Sequence, residues 1–455
     1  MMRRRVHASY DGAWAVTVFC AALLGCGDEA TTLTPVSALE VHLEVPEGPD
    51  PFEGMVSLRL EASSPDFPEI VEKVVQRGSP VIELPELRYG KAWVLTVEGY
   101  DAQNKLIAQG RSASFDLSAE SPQEVRLPLI SLERFTLAVG KLTVPRYGHS
   151  ASRLPDGRVL VAGGFTTNGE PTASVEIYEP ISGTFESMPP LSQPRGGHHA
   201  FLRNQNLVLV GGRDVSGLAG SVEIYVWGDG SSEEVVLTTP REEAFVAQLS
   251  DGTILVAGGL DAKAKIVEST ELVDPVNATR SDGPTGGPAQ HGGYAFTLAD
   301  GRVVAAGGWT GPPVGLSKRS WVYQASAWSD GPPLEEGSEG AQVVVMASEQ
   351  VIIAGGNEQD IQLFSEDEFF SAGRTTENFR EHAMVALGAR VLIAGGAGGP
   401  NVEIWQDGAL QPAGELVRAR RQFTLTALTD GRALAIGGRV AGAATDETEI
   451  FTPRP

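Results

Sequence analysis

Cysteine is almost missing from this chain: 455 residues contain two, Cys20 and Cys26, both near the start. Nothing beyond residue 26 can therefore form a disulfide or lend a thiolate to a metal. Positive charge is scarce as well. Against 58 Asp and Glu stand 35 Lys and Arg, a formal charge of −23, and the one basic cluster after the first residues is Arg418, Arg420 and Arg421. A nucleic-acid groove needs a broad cationic footprint to displace counterions, so nucleic acid is excluded as a partner. No apolar run approaches the ~20 residues of a transmembrane helix. A GxSxG elbow, a HExxH helix and a P-loop are also missing, which removes the familiar hydrolase and nucleotide-binding sets.

What is present is turn chemistry. Gly numbers 54 and Pro 29, with 42% apolar and 20% charged residues, a composition of turn-rich globular proteins. The length corresponds to about three domains of ~150 residues. The first 25 residues read as an export signal: Arg3, Arg4 and Arg5 lead an apolar stretch from Ala13 to Leu24. The ending Leu23-Leu24-Gly25-Cys26 resembles the lipobox of bacterial lipoproteins. That resemblance implies cleavage before Cys26 and acylation of its thiol and new amino terminus, anchoring the chain to a membrane without spanning it. Gly27, where inner-membrane lipoproteins usually carry Asp, favours the outer membrane. Residues 26–36 then form the acylated cysteine and a short polar tether.

Residues 37–130 alternate in period two. Leu39, Val41, Leu43 and Val45, then Val56, Leu58 and Leu60, then Trp93, Leu95 and Val97 mark strands, with shorter runs at 81–84, 106–115 and 125–129. About seven strands predict a small two-sheet β-sandwich. The stretch AWVLTVEGYDAQNKLIAQG resembles the immunoglobulin-like or transthyretin-like modules of bacterial surface proteins, which implies a spacer.

Residues 131–455 form a repeat array. RYGHSASRLPDGRVLVAGG from Arg146 recurs as RGGHHAFLRNQNLVLVGG, REEAFVAQLSDGTILVAGG and QHGGYAFTLADGRVVAAGG, and three more copies end in a glycine pair. The seven pairs begin at 163, 211, 258, 307, 355, 395 and 437, separated by 48, 47, 49, 48, 40 and 42 residues. Such a period is one four-stranded propeller blade. The copies resemble the kelch repeat, in the form found in the galactose oxidase superfamily. The fold class expected is therefore all-β: a seven-bladed kelch-type β-propeller preceded by the sandwich. Asp156-Gly157, Asp251-Gly252, Asp300-Gly301 and Asp430-Gly431 supply hairpin turns, and Tyr178, Tyr225, Tyr323, Phe364, Trp405 and Phe451 mark a third strand as inter-blade core, with Val273 in the third copy. The last repeat ends one strand short, and the segment around Phe135 is expected to supply that strand and close the ring.

The resemblance does not bring the oxidase chemistry with it. Galactose oxidase builds its copper cofactor with a cysteine crosslinked to tyrosine, and no cysteine follows Cys26. Sialidase Asp-boxes are absent too. Five histidines, His149, His198, His199, His291 and His382, cluster near the starts of repeats, beside Arg146, Arg195 and Arg380. They allow a metal or anion site in a central channel, but Arg-x-x-His belongs to the kelch pattern, so a structural role is favoured. The loops after the glycine pairs, together with the joins between blades, define one end of the propeller, here face X. They run 9, 8, 7, 11, 4, 5 and 9 residues, the longest being WTGPPVGLSKR at 309–319. The candidate binding face is accordingly Arg146, His149, Arg195, His198, Trp309, Lys318, Arg319, His382 and Arg420. An acidic group at Glu358, Asp360, Glu366, Asp367 and Glu368 reads as solvated surface.

The function expected is that of a non-catalytic envelope lipoprotein, a monomer that binds an envelope protein or glycan. It contacts the membrane only through its lipid and has no cofactor, metal or catalytic residues. The alternative is an enzyme of unknown class working in the channel, with or without the help of a metal.

Overall fold

The structure is a computed structural model that describes residues 18–19, 39–76, 82–83, 87, 90–117, 123–311, 315–356, 359–377 and 379–454. The export signal, Cys26 and the tether lie outside the described residues, apart from Val18 and Phe19. Strands are the only regular elements among the described residues, and no helix there is long and apolar enough to cross a membrane. The chain divides into two compact units, Met1–Thr136 with Thr452–Pro455, and Leu137–Phe451.

In the first unit Val18–Phe19 pairs Ile82–Glu83 in a small parallel sheet, and the strands from Leu39–Glu44 to Gln123–Ser131 otherwise join one hydrogen-bonded sheet. Its order is Leu39–Glu44, Gln123–Ser131, Leu106–Arg111, Gly90–Tyr100, Ser57–Ser64 and Phe67–Gln76, with Phe115–Leu117 pairing the start of Gly90–Tyr100. The period-two reading holds along its central runs, where Leu58, Leu60 and Ala62 face the core with Trp93, Leu95 and Val97, whereas Val45 and Val56 fall outside the strands and are exposed. Where two facing sheets were expected, strand pairing gives one continuous network around that core. Phe67–Gln76 was not anticipated, because its apolar Ile70 and Val74 point to solvent and give no core-facing alternation.

The second unit is a succession of four-stranded antiparallel sheets, and seven such sheets occur among the described residues. The first is representative: Ser150–Arg153, Val159–Ala162, Val175–Glu179 and Thr184–Met188 pair in sequence order. First strands of successive sheets adjoin, as Phe245–Gln248 does Tyr294–Thr297, and that of the seventh, Thr424–Ala427, lies against that of the first. The last sheet takes its outer strand from Arg134–Leu137, next to Thr448–Thr452, as the sequence around Phe135 predicted. This arrangement is that of a β-propeller. Second strands such as Val159–Ala162, Ile254–Ala257 and Val351–Ala354 are buried at every residue. The large third-strand residues Tyr178, Tyr225, Tyr323, Phe364, Trp405 and Phe451 are all core.

The glycine pairs are required twice over. Both members of every pair have positive φ, from 56° to 103°. A Cβ on Gly163 would also sit 2.5 Å from the Arg195 carbonyl oxygen, and one on Gly164 2.8 Å from that of Tyr147. The hairpins differ from expectation in one detail. Only the glycine of each Asp-Gly pair has positive φ, while the aspartate stays in ordinary space and accepts from the backbone two residues on, as Thr253 N to Asp251 Oδ1 at 2.8 Å.

Candidate functional site

Arginine at the head of a repeat is not a surface residue. Arg146, Arg195 and Arg420, assigned above to the binding face, are 0%, 1% and 1% exposed and turn their guanidinium Nη groups into their own sheets. Arg146 Nη1 donates to the carbonyls of Gly163 and Ser174 at 3.0 and 2.7 Å, and Nη2 donates to Glu176 Oε1 at 2.5 Å. Arg195, Arg241 and Arg420 repeat the pattern toward Glu223, Glu271 and Glu449. Each arginine therefore satisfies the carbonyl at the glycine bend and the charge of a buried third-strand glutamate. Burial pulls Arg146, Arg195 and Arg241 below the usual arginine range, and the facing carboxylates oppose that pull. Sequence reading missed the glutamates, although they stand 29 to 30 residues after Arg420, Arg146 and Arg241. Where the arginine is replaced, the partner usually changes too: Gln290, whose amide still donates to the Gly307 carbonyl, goes with Trp321, and Ser338 with Gln362.

The histidines are inter-sheet wedges, which removes His149, His198 and His382 from an open binding face. A Cβ on the first glycine of the preceding pair would strike each ring, at Gly437 for His149, Gly163 for His198 and Gly355 for His382. His149 Nε2 meets Thr424 Oγ1 at 3.1 Å, and His198 Nε2 meets Ser150 Oγ at 3.0 Å, so each reaches the first strand of the sheet before it. Neither nitrogen of His382 has a hydrogen bond, and its ring packs edge-on against Phe379. Burial keeps all three neutral. It takes His149 well below 6.5, aided by the Arg146 guanidinium and His198, and takes His198 to about 3, aided by Arg195. It takes His382 to about 4. His199 is solvent-exposed on its first strand, yet the surrounding protein still lowers its pKa.

Face X is organised by a feature the sequence did not disclose. Two residues after each repeat head, or at the equivalent place, Gly148, Gly197, Glu243, Gly292, Gly340, Glu381 and Gln422 all adopt φ between 52° and 71°. Their backbones link neighbouring sheets directly: Gly197 N donates to Gly148 O at 2.8 Å, Gly148 N to Gln422 O at 2.9 Å and Gln422 N to Glu381 O at 2.8 Å. Gly292 N likewise donates to Glu243 O at 2.9 Å and Gly340 N to Gly292 O at 2.8 Å. Four glycines at this register were readable, but Glu243, Glu381 and Gln422 concealed the common conformation.

Around this girdle stand the solvent-reaching side chains. Arg213 holds Glu242 at 2.7 Å, Arg421 holds Glu381 at 2.9 Å, and the Arg439 guanidinium lies 4.9 Å from the Tyr147 ring centre. Trp309 is half-buried and bridged by its backbone to His291 and Leu316, while residues 312–314 of its loop lie outside the described residues. Lys318 and Arg319 are exposed but turn to acidic neighbours, Glu336 at 3.0 Å and Asp330 at 3.0 Å. Of the expected acidic group, Glu358 is outside the described residues, whereas Asp360 pairs Arg374 and Asp367 pairs Arg302. A concavity of about 400 Å³ at the opposite end, lined by Met346, Leu363 and Trp405, holds no histidine or cysteine.

Comparison with known proteins bears on the fold. A family model described as the Kelch motif matches residues 145–192. The chain is similar to a solved structure titled "Structure of YjhT" at 15% identity, covering 59% of this chain and 97% of that one, with a TM-score of 0.47. It is also similar to a "Novel fungal alcohol oxidase with catalytic diversity among the AA5 family, in complex with copper", at 15% identity, covering 69% of this chain and 75% of that one, with a TM-score of 0.56. No curated protein matches. The motif and the second likeness fit a kelch-type β-propeller and concern the fold alone.

Proposed function

We propose that this chain is an exported, lipid-anchored binding module: a seven-bladed kelch-type propeller on a small β-sandwich spacer, whose face X engages an envelope protein or glycan without catalysis. The observation that carries this reading is the division of polar side chains. Arg146, Arg195, Arg420, His149, His198 and His382 are spent between and within sheets, whereas face X keeps half-buried aromatic and exposed charged groups over a hydrogen-bonded girdle. Rigid scaffolds with variable loops are where partners are selected, and a pre-organised rim loses little entropy on binding.

The test is retention of envelope components by immobilised residues 27–455, beside a variant whose 309–319 loop is cut to the four-residue length of 357–360, with a glycan array run on both. Capture or array binding falling to background in the variant is the expected result. Equal retention by both proteins would sink the role of face X. The anchor is tested separately: cells fed an alkyne analogue of palmitate should label the wild-type protein and leave Cys26→Ala unlabelled. Labelling of the variant, or of neither, would remove the lipoprotein reading.

A further inference from the structure

On the same girdle, three successive repeats bring together side chains of a different kind from the paired charges beside them. His291 Nδ1 lies 2.6 Å from Glu243 Oε2 and 4.0 Å from Glu339 Oε1, and the three ligand atoms all fall within 4.8 Å of one another. Elsewhere on this rim a carboxylate meets a guanidinium, as Glu242 meets Arg213 and Glu381 meets Arg421. Here two carboxylates converge on one imidazole. We infer that Glu243, His291 and Glu339 form a binding site for a divalent transition-metal cation of the zinc class.

Space for this convergence is built into the backbone. Gly292 lies between the two acids, and a Cβ there would sit 2.8 Å from Glu339 Cγ and 3.2 Å from its Oε1. The missing side chain is what lets Glu339 reach across to His291. The hydrogen bonds from Gly292 N to Glu243 O and from Gly340 N to Gly292 O then fix the three repeats in register at this point.

The donor set suits the ion. Nitrogen with two carboxylate oxygens is a zinc-type combination, and three protein ligands leave a coordination position open. Donors about 2.1 Å from a common tetrahedral centre lie about 3.4 Å apart. The observed 2.6 and 4.0 Å separations bracket that value, so side-chain rotations of under about 1 Å at the donor atoms complete the set. The side chains of His291, Glu243 and Glu339 are 14%, 51% and 28% exposed, which gives the ion an entry path and directs its open position toward solvent. Loading needs the Nδ1 lone pair, so the hydrogen bond between Nδ1 and Glu243 Oε2 gives way to a metal–ligand bond from each. This site is separate from the buried histidines and does not depend on the binding role proposed above.

The experiment is calorimetric titration of Zn²⁺ into full-length protein stripped with a chelator, with the Glu243→Gln/His291→Ala/Glu339→Gln triple variant as background. One equivalent is expected to bind in the wild type above that background. His291→Ala and Glu339→Gln should each weaken it by about 100-fold, at or beyond the upper range seen for outer-shell partners. Gly292→Ala, which keeps all three ligands but blocks the approach of Glu339, should weaken it as well. Co²⁺ loaded in place of Zn²⁺ should show a visible absorption band that disappears in His291→Ala. No binding beyond the triple variant, equal affinity in wild type and His291→Ala, or insensitivity to Glu339→Gln would each overturn the three-ligand site. Melting of the stripped variants at the wild-type temperature separates ligand loss from misfolding.

Discussion

Arg146→Met is expected to lower the unfolding free energy by about 3–5 kcal/mol, the loss seen when one partner of a buried ion pair is removed. Glu176, 0% exposed, would be left charged without its guanidinium, the Gly163 carbonyl would lose its Arg146 donor, and the Ser174 carbonyl would keep only Gly163 N. The double change Arg146→Met/Glu176→Leu should recover part of this loss, because no isolated charge stays buried. Recovery will be incomplete, because Glu176 also accepts from Thr143 N at 2.7 Å and those backbone groups remain. The residual deficit should be about 1–3 kcal/mol, the cost of orphaned polar groups. Urea unfolding of the four proteins of this cycle supplies the measurement. A single variant as stable as wild type, or a double variant no better than Arg146→Met, would show that the pair is not what holds the bend. The chain itself tolerates replacement of both partners, with Gln290 and Trp321 in the fourth repeat.

Mild acid should weaken the fold before its carboxylates begin to titrate. His149, His198 and His382 have folded-state pKa values pulled below 6.5 by burial, whereas in the unfolded chain they take protons near that value. The unfolded state therefore binds more protons, and stability must fall as pH drops below about 6.5. The contribution is complete above that pH and is lost progressively toward about 4 for His382 and about 3 for His198. Each fully neutral histidine contributes a slope of about 1.4 kcal/mol per pH unit. His198 is half-buried, and screening by solvent reduces its share. Urea midpoints at intervals between pH 7.5 and about 5 would measure the slope while most carboxylates stay ionised. His382→Leu should flatten the slope by up to one histidine's share, with little loss at neutral pH, because neither ring nitrogen has a hydrogen bond to forfeit. A flat profile in the wild type, or an unchanged slope in His382→Leu, would refute this assignment.

The repeating architecture was legible because its determinants are local. A glycine pair that needs positive φ, a four-residue apolar strand and a large residue on the third strand recur within each period. Arg146, Arg195 and Arg420 were misplaced because charge ordinarily signals solvent. Their burial depends on a glutamate two strands further on and on carbonyls that become available only when the glycine bend forms. The rim cluster was hidden for a related reason. Glu243 and His291 are 48 residues apart, and only lateral packing of sheets makes them neighbours. In the first unit, alternation revealed Ser57–Ser64 and Gly90–Tyr100 but not Phe67–Gln76, whose apolar residues face outward.

The last sheet also sets the order in which a chain emerging from its amino end can complete the fold. Its hydrogen bond from Thr448 Oγ1 to the Gly140 carbonyl spans 308 residues, and its outer strand is made long before the others. At about 5–20 residues per second, Gly140 waits roughly 15–60 s for its partner. Meanwhile the earlier sheets can form from neighbouring segments, since each pairs strands close in sequence. An early segment thus stays without its hydrogen-bonding partners until synthesis of this unit is nearly finished. A nascent chain stalled before residue 448 would present that open edge to other chains. Closure of the last sheet thus comes after every other four-stranded sheet has its strands, and until then the first of its own strands to be made is an unpaired edge.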